Sequence, residues 1–405
     1  MAPARPKTKA CDVAVAGGGP VGLTLALALA RRGYESVVID AAPAPKSGKP
    51  ANDSRAFFIA YGCWRIFRAL DLEKALLEHA EPVTSVEAEG RIGGISFLAE
   101  DCGSEPVLGY MIEAARLIPV LYEAAKADEN IRLIAGAKIE GVTLGDPEAS
   151  VRFGGKEVHA CLVIGCDGAK SIVRKAAGLR FEGWDYDAKA ISTTVKLGRP
   201  HNGAARQVFL PGGPMAVLPL KDNRANLIWT ERGAVADALV ELDDRGFEAE
   251  LAKKAGAFLA DAKLAGPRHA FGLGLHVAER FHAPRAALAG DSAHVIHPLG
   301  GQGLNLGLKD VAALVDVIVE AGRAGLDIGA ESALEPYTRW RRADVAATAA
   351  AMEAFARVFS APLPVRLAAG LAMQAAGSVR EARKLFAREA GGDLGELPSL
   401  MQAAP

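Results

Sequence analysis

The chain has 405 residues, half of them apolar, and its 47 basic and 48 acidic side chains leave a formal net charge of −1. This length supports two domains with cores of their own, and the balanced charge excludes a general electrostatic attraction to nucleic acid. The five cysteines include no CxxC pair and cannot all pair with one another, which indicates a reduced, intracellular protein without a disulfide framework or zinc site.

The first forty residues have the order of elements that is typical of a dinucleotide-binding unit. Residues 12–16 predict a short buried strand, residues 23–32 predict a helix that ends at Gly33, and residues 36–39 predict a second strand. The loop between the first strand and the helix has the GxGxxG spacing and contains Gly17, Gly19, Pro20, Val21 and Gly22.

Each glycine of this loop has a physical role. Gly17 allows the tight turn, Gly19 lets the backbone approach a pyrophosphate at the helix N-terminus, and Gly22 lets helix and strand pack closely. Asp40 ends the second strand, where it can accept a hydrogen bond from a ribose hydroxyl. Because a carboxylate there disfavours a 2′-phosphate, the segment predicts NAD or FAD; the alternative is a glycine-rich turn in an ordinary α/β protein.

Two later segments repeat the pattern of a strand followed by aspartate. The apolar residues 161–165 lead into Asp167 and Gly168, although an Asp-Gly pair after a strand is also common as a simple turn. Residues 286–310 read AALAGDSAHVIHPLGGQGLNLGLKD and predict a strand ending at Gly290 and Asp291, a glycine-rich bend and an apolar helix. The first N–H groups of this helix would favour a group that becomes negative.

These motifs together resemble the signatures of the single-component FAD-dependent aromatic hydroxylases, the para-hydroxybenzoate hydroxylase group. The matching stretches are GGGPVG at 17–22, CDG at 166–168 and GDSAHVIHPLGGQGLNLGL at 290–308. Within that group the sequence is most similar to the ubiquinone-biosynthesis hydroxylases, through NDSRAFFIAYGCWRIFRAL at 52–70, PGGPMAVLPL at 211–220 and EPYTRWRRADVAA at 335–347. The resemblance covers most of the chain.

The resemblance and the scattered motifs imply an α/β fold with three parts. A discontinuous Rossmann-like FAD-binding domain would comprise residues 1–75, 103–180 and 270–345. A second, β-sheet domain for the substrate would comprise residues 76–102 and 181–269, where β-like stretches such as MAVLPL and NLIWT occur. Residues 346–405 would form a C-terminal helical region, and residues 249–265 predict an amphipathic helix.

The chemistry implied by the family is the hydroxylation of the aromatic ring of a polyprenylated phenol. NAD(P)H would reduce the flavin without a dinucleotide-binding domain of its own, because the chain has no second GxGxxG. The reduced flavin would then react with O2 to give a C4a-hydroperoxide, whose distal oxygen attacks the ring. Such chemistry requires binding, orientation and exclusion of water rather than a nucleophilic side chain.

The resemblance also implies roles for individual residues. Asp167 would contact the cofactor and help the nicotinamide approach, Asp291 would bind the ribityl chain, and Arg116 is assigned to the family's flavin-facing polar position. Asp40 is a departure, because many relatives have Glu there. The catalytic residues would be Arg55, His297 and Pro298. Arg55 would lie near the flavin, and residues 298–303, including Pro298, Gly300, Gly301 and Gly303, would lie beside its isoalloxazine ring. The other residues expected to bind the cofactor include Gly17, Gly19, Pro20, Val21, Gly22, Gly290, Leu304 and Asn305.

The two histidines of the third motif are three residues apart, but no third ligand of the H-E-x-x-H kind lies nearby, so no metal is predicted. His294 is expected to be a structural residue close to the cofactor. His297 touches the substrate or tunes the flavin, or else it packs as an ordinary buried histidine.

Several alternatives stay open at this point. The flavin chemistry could act on a small soluble aromatic compound, or the chain could be a non-catalytic flavin-fold subunit of a ubiquinone-synthesis complex. The C-terminal region either packs on the FAD-binding domain or contacts a membrane surface or other ubiquinone-biosynthesis proteins. No run of about 18 apolar residues predicts a membrane-spanning helix. We therefore expect a cytoplasmic protein, with peripheral contact to the inner membrane and self-association as further options.

Overall fold

The computed structural model describes residues 11–45, 53–89, 94–102, 106–255, 258–297, 299–361, 363–393 and 395–402. The strands are, in chain order, β1 (Cys11–Ala16), β2 (Ser36–Asp40), β3 (Ala56–Ala60), β4 (Glu81–Val83), β5 (Ser85–Glu89), β6 (Gly94–Leu98), β7 (Gly109–Glu113), β8 (Ile131–Ala135), β9 (Ile139–Leu144), β10 (Ala149–Phe153), β11 (Lys156–Gly165), β12 (Phe181–Lys196), β13 (Ala204–Leu210), β14 (Gly213–Leu220), β15 (Arg224–Arg232), β16 (Lys263–Leu264), β17 (His269–Ala278), β18 (His282–Ala283), β19 (Ala286–Leu288) and β20 (His294–Val295). The helices are α1 (Pro20–Ala30), α2 (Tyr61–Ala69), α3 (Glu73–Leu77), α4 (Ala114–Ala127), α5 (Ile172–Ala176), α6 (Gly233–Glu241), α7 (Asp244–Ala255), α8 (Gln302–Arg323), α9 (Glu331–Ser360), α10 (Leu363–Ser378) and α11 (Arg380–Ala390).

The first sheet has a parallel core in the order β19, β11, β1, β2, β8. Helix α1 connects β1 to β2, and both it and β1 are buried almost throughout, as expected for a parallel sheet covered by helices. Pro20 begins α1, where its missing N–H group costs no hydrogen bond. Because the strands are parallel, their carboxyl ends lie at one edge of the sheet.

The second sheet is mainly antiparallel and is built around the long strand β12, which pairs with β15 and β17. Strands β14 and β13 extend it, and β5 and β6 complete the far edge. Helices α6 and α7 cover one face through a core that includes Trp229 and Phe247. A small third sheet of β3, β7 and β4 contacts β14 of the second sheet and helix α8.

The predicted fold class is confirmed: a Rossmann-like α/β unit is combined with a second sheet and C-terminal helices. Two details differ from the sequence-based expectation. Strand β17 pairs with β12 in the second sheet, so the boundary expected at residue 270 falls inside that sheet. The helix expected over 249–265 is wrong in extent, because α7 spans 244–255 and Leu264 instead pairs with Val195 as part of β16.

The C-terminal helices are α9, α10 and α11, and all three contact the second sheet. Helices α10 and α11 pack against its edge strand β6. Met352 and Val358 of α9 and Met373 of α10 pack around Phe209 of β13. Among the helices of the described ranges, none combines the length and the apolar character needed to cross a bilayer.

Candidate active site

Four neighbouring strands of the first sheet deliver the sequence motifs to one edge. Strand β1 leads into Gly17, β2 ends at Asp40, β11 leads into Cys166 and Asp167, and β19 leads into the turn at Gly290. The N–H group of Cys166 donates to the carbonyl oxygen of Ala16 at 2.7 Å, so the first two motifs are in direct contact. The carboxyl edge of an open parallel sheet is where ligands bind in such folds.

The three glycines of the first motif meet different surroundings. Gly17 has a φ of +104°, and a Cβ there would collide with the carbonyl oxygen of Cys166. A Cβ on Gly22 would collide with the carbonyl oxygen of Gly17. A Cβ on Gly19 would have no protein atom within 4 Å. Packing within the chain therefore explains why glycine is needed at positions 17 and 22, but not at Gly19. Gly19 faces open space at the N-cap of α1, and no side chain caps this helix.

A cleft of about 280 Å³ lies beside this loop. Gly18, Gly19 and Asp40 form its polar wall, and Ile118 and Tyr122 of α4 contribute to its apolar wall. The Asp40 carboxylate accepts hydrogen bonds from the N–H groups of Gly18 and Ala42, which orients it towards the loop. The cleft thus offers a flat apolar surface, one carboxylate acceptor and an uncapped helix N-terminus, as an adenosine diphosphate requires.

Arg55 lies on the rim of the same cleft. Its guanidinium forms a two-point ion pair with Asp53, at 2.9 and 2.7 Å, which raises the pKa of Arg55. Asp291 adds to this rise, so the third motif lies within electrostatic reach of Arg55. Arg116 is exposed on the first turn of α4 and is not part of this cleft, and the preceding Glu113 is bound to Arg224 by two hydrogen bonds of 2.9 Å.

The second motif contains an unsatisfied buried acceptor. Asp167 accepts the N–H of Ile172 through Oδ2 at 2.7 Å, whereas its buried Oδ1 has no hydrogen-bond partner among the described residues. Arg174 then ties this loop to the third motif, because its guanidinium donates to the carbonyl oxygens of Ala169 at 2.6 Å and Ser292 at 2.8 Å. A buried carboxylate oxygen without a partner at this edge of the sheet can accept a hydrogen bond from a bound ligand.

The third motif is held in place by a buried charge network. Asp310 of α8 accepts hydrogen bonds from the Gly290 N–H at 2.9 Å, from His294 Nε2 at 2.6 Å and from Arg341 of α9 at 2.8 Å. Burial alone would raise the pKa of Asp310, but the neighbouring His294 and Arg341 hold it below its ordinary value. His294 is thus hydrogen-bonded to Asp310 and forms part of the network that supports the third motif.

Asp291 lies in this fixed turn, and its side chain is exposed to solvent. Gly290 supplies the positive φ of +63° that the turn requires, and a Cβ there would crowd Val21 of α1. The Asp291 side chain is accessible to solvent, yet partial desolvation by surrounding protein raises the pKa of its carboxyl, against the opposite effect of His294 and Arg55. An accessible carboxylate with protein close to it can accept hydrogen bonds from the hydroxyl groups of a polyol.

The glycine-rich bend directly precedes the long helix α8. Gly300 and Gly301 have φ values of +70° and +65°, so both adopt the left-handed conformation that glycine tolerates. Asn305 fixes this bend to β3: its amide donates to the carbonyl oxygens of Phe58 at 2.9 Å and Gly301 at 3.2 Å, and accepts the Ala60 N–H at 2.9 Å. The Asn305 side chain is thus occupied by the backbone, and the predicted contact with a cofactor would have to come from elsewhere in the bend.

The other residues predicted to form the site around this bend have different surroundings. A Cβ on Gly303 would meet no protein atom within 4 Å, and Leu304 packs partly buried against the main core. Pro298, predicted both to line the flavin and to take part in catalysis, lies outside the described residues. His297 is buried, and its ring packs edge-on against Tyr186 of β12 with centroids 5.6 Å apart.

Sequence reasoning missed Asp310, the centre of the network under the third motif, and its partner Arg341. One signal was present for Asp310, since it is a single acidic residue on the apolar face of α8, beside Leu306 and Leu314. Nothing local in α9 marks Arg341. Within the described ranges, no group of three or more His, Cys, Asp or Glu side chains is arranged to hold a metal ion.

These features fit FAD. Gly19 leaves room for a pyrophosphate, Asp40 lines the cleft, the buried Asp167 oxygen lacks a donor among the described residues, and the Asp291 carboxylate is exposed in the turn after β19. The cofactor would be held by those residues and by the two open helix N-termini of α1 and α8.

Comparison with known proteins gives the same assignment. A family model described as an FAD binding domain matches residues 10–352. A ubiquinone hydroxylase, UbiL, of Rhodospirillum rubrum is 36% identical over 98% of this chain and 94% of its own length. The 3-demethoxyubiquinol 3-hydroxylase of Escherichia coli is 34% identical over 90% of this chain and 94% of its own length.

Among solved structures, the p-nitrophenol 4-monooxygenase PnpA of Pseudomonas putida superposes with a TM-score of 0.80, covering 94% of this chain and 98% of its own, at 20% identity. That likeness shows the shared fold. The chain therefore belongs to the FAD-binding family that matches residues 10–352, and it is an FAD-dependent aromatic hydroxylase similar to the ubiquinone-biosynthesis hydroxylases.

Proposed function

We propose that this enzyme uses NAD(P)H and O2 to hydroxylate the ring of a polyprenylated phenol during ubiquinone synthesis. A bound reduced flavin supplies activated oxygen for transfer to an electron-rich ring. The residues of the chain bind and orient the cofactor through Gly19, Asp40, Asp167 and Asp291, and they exclude water from the reacting centre. The names of the two relatives above support the pathway.

The inner face of the second sheet supports an uncharged substrate. In the strands of the second sheet, every second residue packs against α6 and α7, and the residues between them point to the opposite face. That face is turned towards the FAD-binding part of the chain, because Asn226 donates a hydrogen bond to the carbonyl oxygen of Ser54. Most residues on this face are small, apolar or neutral, among them Ala190, Ser192, Thr194, Ala216, Leu218, Asn226 and Ile228. Two cations with the same alternation lie at the end of this face: Arg224 is paired with Glu113 at 2.9 Å, and Lys196 donates to the carbonyl oxygen of Asp222. An aromatic acid would need an unpaired cation on this face, because an unpaired buried carboxylate is costly, and the cation of Arg224 is already bound to Glu113.

The single observation that carries the proposal is the combination of that largely apolar and neutral face with the convergent flavin motifs. Quinone-intermediate profiling in cells lacking this protein tests it, because the accumulated species identifies the step and the ring position. We expect a polyprenylated phenol to accumulate and to disappear when the wild-type gene is restored. Restoration by an Asp291→Ala variant would instead indicate a non-catalytic subunit, and an unchanged quinone profile would favour a small soluble substrate.

We propose in addition that helix α10 contacts the membrane surface, where a polyprenylated substrate resides. Val365 and Leu371 on this helix and Val379 at its end are 47, 56 and 49% exposed. The exposed cations Arg380 and Lys384 follow on α11. An apolar stripe flanked by basic residues is the pattern of helices that lie in the lipid interface.

Flotation with vesicles of anionic phospholipid tests this contact. We expect wild-type protein to float and a Val365→Asp, Leu371→Asp double variant to remain at the bottom. Leu326→Asp is the matched control, because Leu326 is 58% exposed in the turn between α8 and α9, away from the stripe. Equal flotation of all three proteins would contradict the proposal.

A further inference from the structure

A two-point ion pair joins the second sheet to the third sheet at one end of the inner face. Arg224, at the start of β15, donates to both carboxylate oxygens of Glu113, the last residue of β7, at 2.9 Å each. In the alternation of β15, Arg224 has the parity of Asn226 and Ile228, so its side chain belongs to the inner face. The Arg224 side chain is 26% exposed and that of Glu113 is 24% exposed. The pair is therefore partly open to solvent rather than sealed in a core.

This ion pair lies beside the loop that carries Arg55. The residue that follows Glu113 donates its N–H group to the Arg55 carbonyl oxygen at 2.8 Å. Two residues from Arg224 along β15, Asn226 donates to the carbonyl oxygen of Ser54, the residue before Arg55. Both members of the pair are thus within two residues of a contact with this loop, and the Arg55 side chain lines the cofactor cleft. The end of the inner face that bears Arg224 is therefore in contact with the cofactor-binding part of the chain.

Glu113 is the group that neutralises Arg224. Glu113 stands at the N-cap position of α4, where a carboxylate can accept N–H groups of the first turn, yet its side chain makes no such bond. Both of its oxygens accept from Arg224 instead, and these hydrogen bonds raise the pKa of Arg224 more than the charge of the neighbouring Asp222 does. Lys196, opposite Arg224 on β12, is exposed, and its ammonium donates to the Asp222 carbonyl oxygen. Arg224 is thus a partly buried cation whose charge is matched within the chain itself.

We propose that Glu113 is a specificity-determining residue, which neutralises Arg224 and so restricts the inner face to phenols that carry no carboxylate. The inference rests on the proposed function, which supplies a phenol for this face, and it names the residue that selects a neutral substrate over an aromatic acid. A carboxylate that arrived at Arg224 would have to displace Glu113 or lie beside it. Either arrangement is unfavourable, because one of two neighbouring carboxylates then lacks a cation. A neutral phenol leaves the ion pair intact.

Two ligands that differ mainly in charge test this role in the purified flavoprotein: 4-hydroxybenzamide and 4-hydroxybenzoate, each with a prenyl group next to the hydroxyl. The change in the visible absorbance of the bound flavin gives the dissociation constant of each ligand. We expect the wild-type protein to bind the amide more tightly than the acid. Glu113→Gln keeps an acceptor for Arg224 but removes the negative charge, so the acid should bind about tenfold more tightly than it binds to wild type, the low end for a charge-assisted hydrogen bond. The affinity for the amide should stay the same.

A second ion pair of the same sheet provides the matched control. Arg206 and Glu87 are bonded at 2.7 Å, and their side chains are 25% and 31% exposed, but Arg206 packs over Phe258 on the face that α6 and α7 cover. Glu87→Gln should therefore leave the affinities for both ligands unchanged. Adding Arg224→Met to the Glu113→Gln protein removes the released cation and should restore the preference for the amide, which a general loosening of the fold would not do.

Three results would overturn the proposal: an unchanged ratio of the two affinities in Glu113→Gln, an equal change in Glu87→Gln, or a change that Arg224→Met does not reverse. The proposed function fails in a different way. Failure of the wild-type flavoprotein to hydroxylate any polyprenylated phenol, with the affinity shifts present, would refute that function and leave the charge selection by Glu113 in place.

Discussion

Replacing Gly19 with alanine should remove the flavin and leave the protein folded. No protein atom lies within 4 Å of the added methyl group, and Gly19 has a φ of −76°, which any L-residue can adopt. Alanine restricts the unfolded chain and so stabilises by about 0.4–1 kcal/mol, while its weakness as a helix N-cap costs roughly 1 kcal/mol. The two effects offset, and we expect the free energy of unfolding of the flavin-free protein to change by less than about 1 kcal/mol.

The effect on the cofactor should be much larger. The methyl group would occupy the space through which the backbone approaches the pyrophosphate, and it would disturb contacts at the N-terminus of α1. We expect flavin to bind at least about a hundredfold more weakly, which corresponds to roughly 2.8 kcal/mol. Such a variant would lose its yellow colour during gel filtration.

Gly22→Ala is the informative comparison, because its methyl group would collide with the Gly17 carbonyl oxygen, part of the backbone. We expect overpacking to destabilise the flavin-free protein by about 1–3 kcal/mol or more. The assay pairs flavin absorbance per mole of protein with urea denaturation of the flavin-free form. Full flavin retention by Gly19→Ala, or a loss of stability equal to that of Gly22→Ala, would refute the reasoning.

Three further predictions concern the aspartates of the third motif and the buried histidines. Asp291→Ala should leave the circular dichroism spectrum unchanged while flavin absorbance falls sharply; retention of full colour would contradict its assignment. Asp310→Asn breaks a buried ion network and should lower the free energy of unfolding by about 3 kcal/mol in urea denaturation, and a loss below about 1 kcal/mol would argue against the network. Burial lowers the pKa of His282 and His297, so below about pH 6.5 the unfolded chain binds more protons than the native state. Stability should therefore fall as pH decreases from about 7 to 5, and urea denaturation of a His282→Gln variant should show a shallower fall.

Local signals predicted the first βαβ unit well. The short apolar strands, the glycines at 17, 19 and 22, and Asp40 all act within thirty residues, so spacing alone determines their arrangement. Serine is a typical N-cap residue, and the hydroxyl of Ser171 accepts the Arg174 N–H at 3.0 Å as the N-cap of α5.

Local sequence signals could not predict contacts between segments that are distant in the chain. The adjacency of β19, β11 and β1 joins residues more than a hundred positions apart, and only the family resemblance implied that the motifs converge. The contact of Tyr186 with Glu353 spans 167 positions, and neither residue has a local pattern that marks it. The helix expected beyond residue 255 failed because tertiary pairing of Leu264 with Val195 overrides helical periodicity.

Incubation of the purified flavoprotein with NAD(P)H, a polyprenylated phenol and isotope-labelled dioxygen tests the central claim most directly. If the convergent motifs hold a flavin that transfers oxygen to a ring on the inner face of the second sheet, mass spectrometry will show one labelled oxygen atom in the product. Oxidation of NAD(P)H that yields only labelled hydrogen peroxide, or a hydroxylated product carrying oxygen from water, would contradict the account.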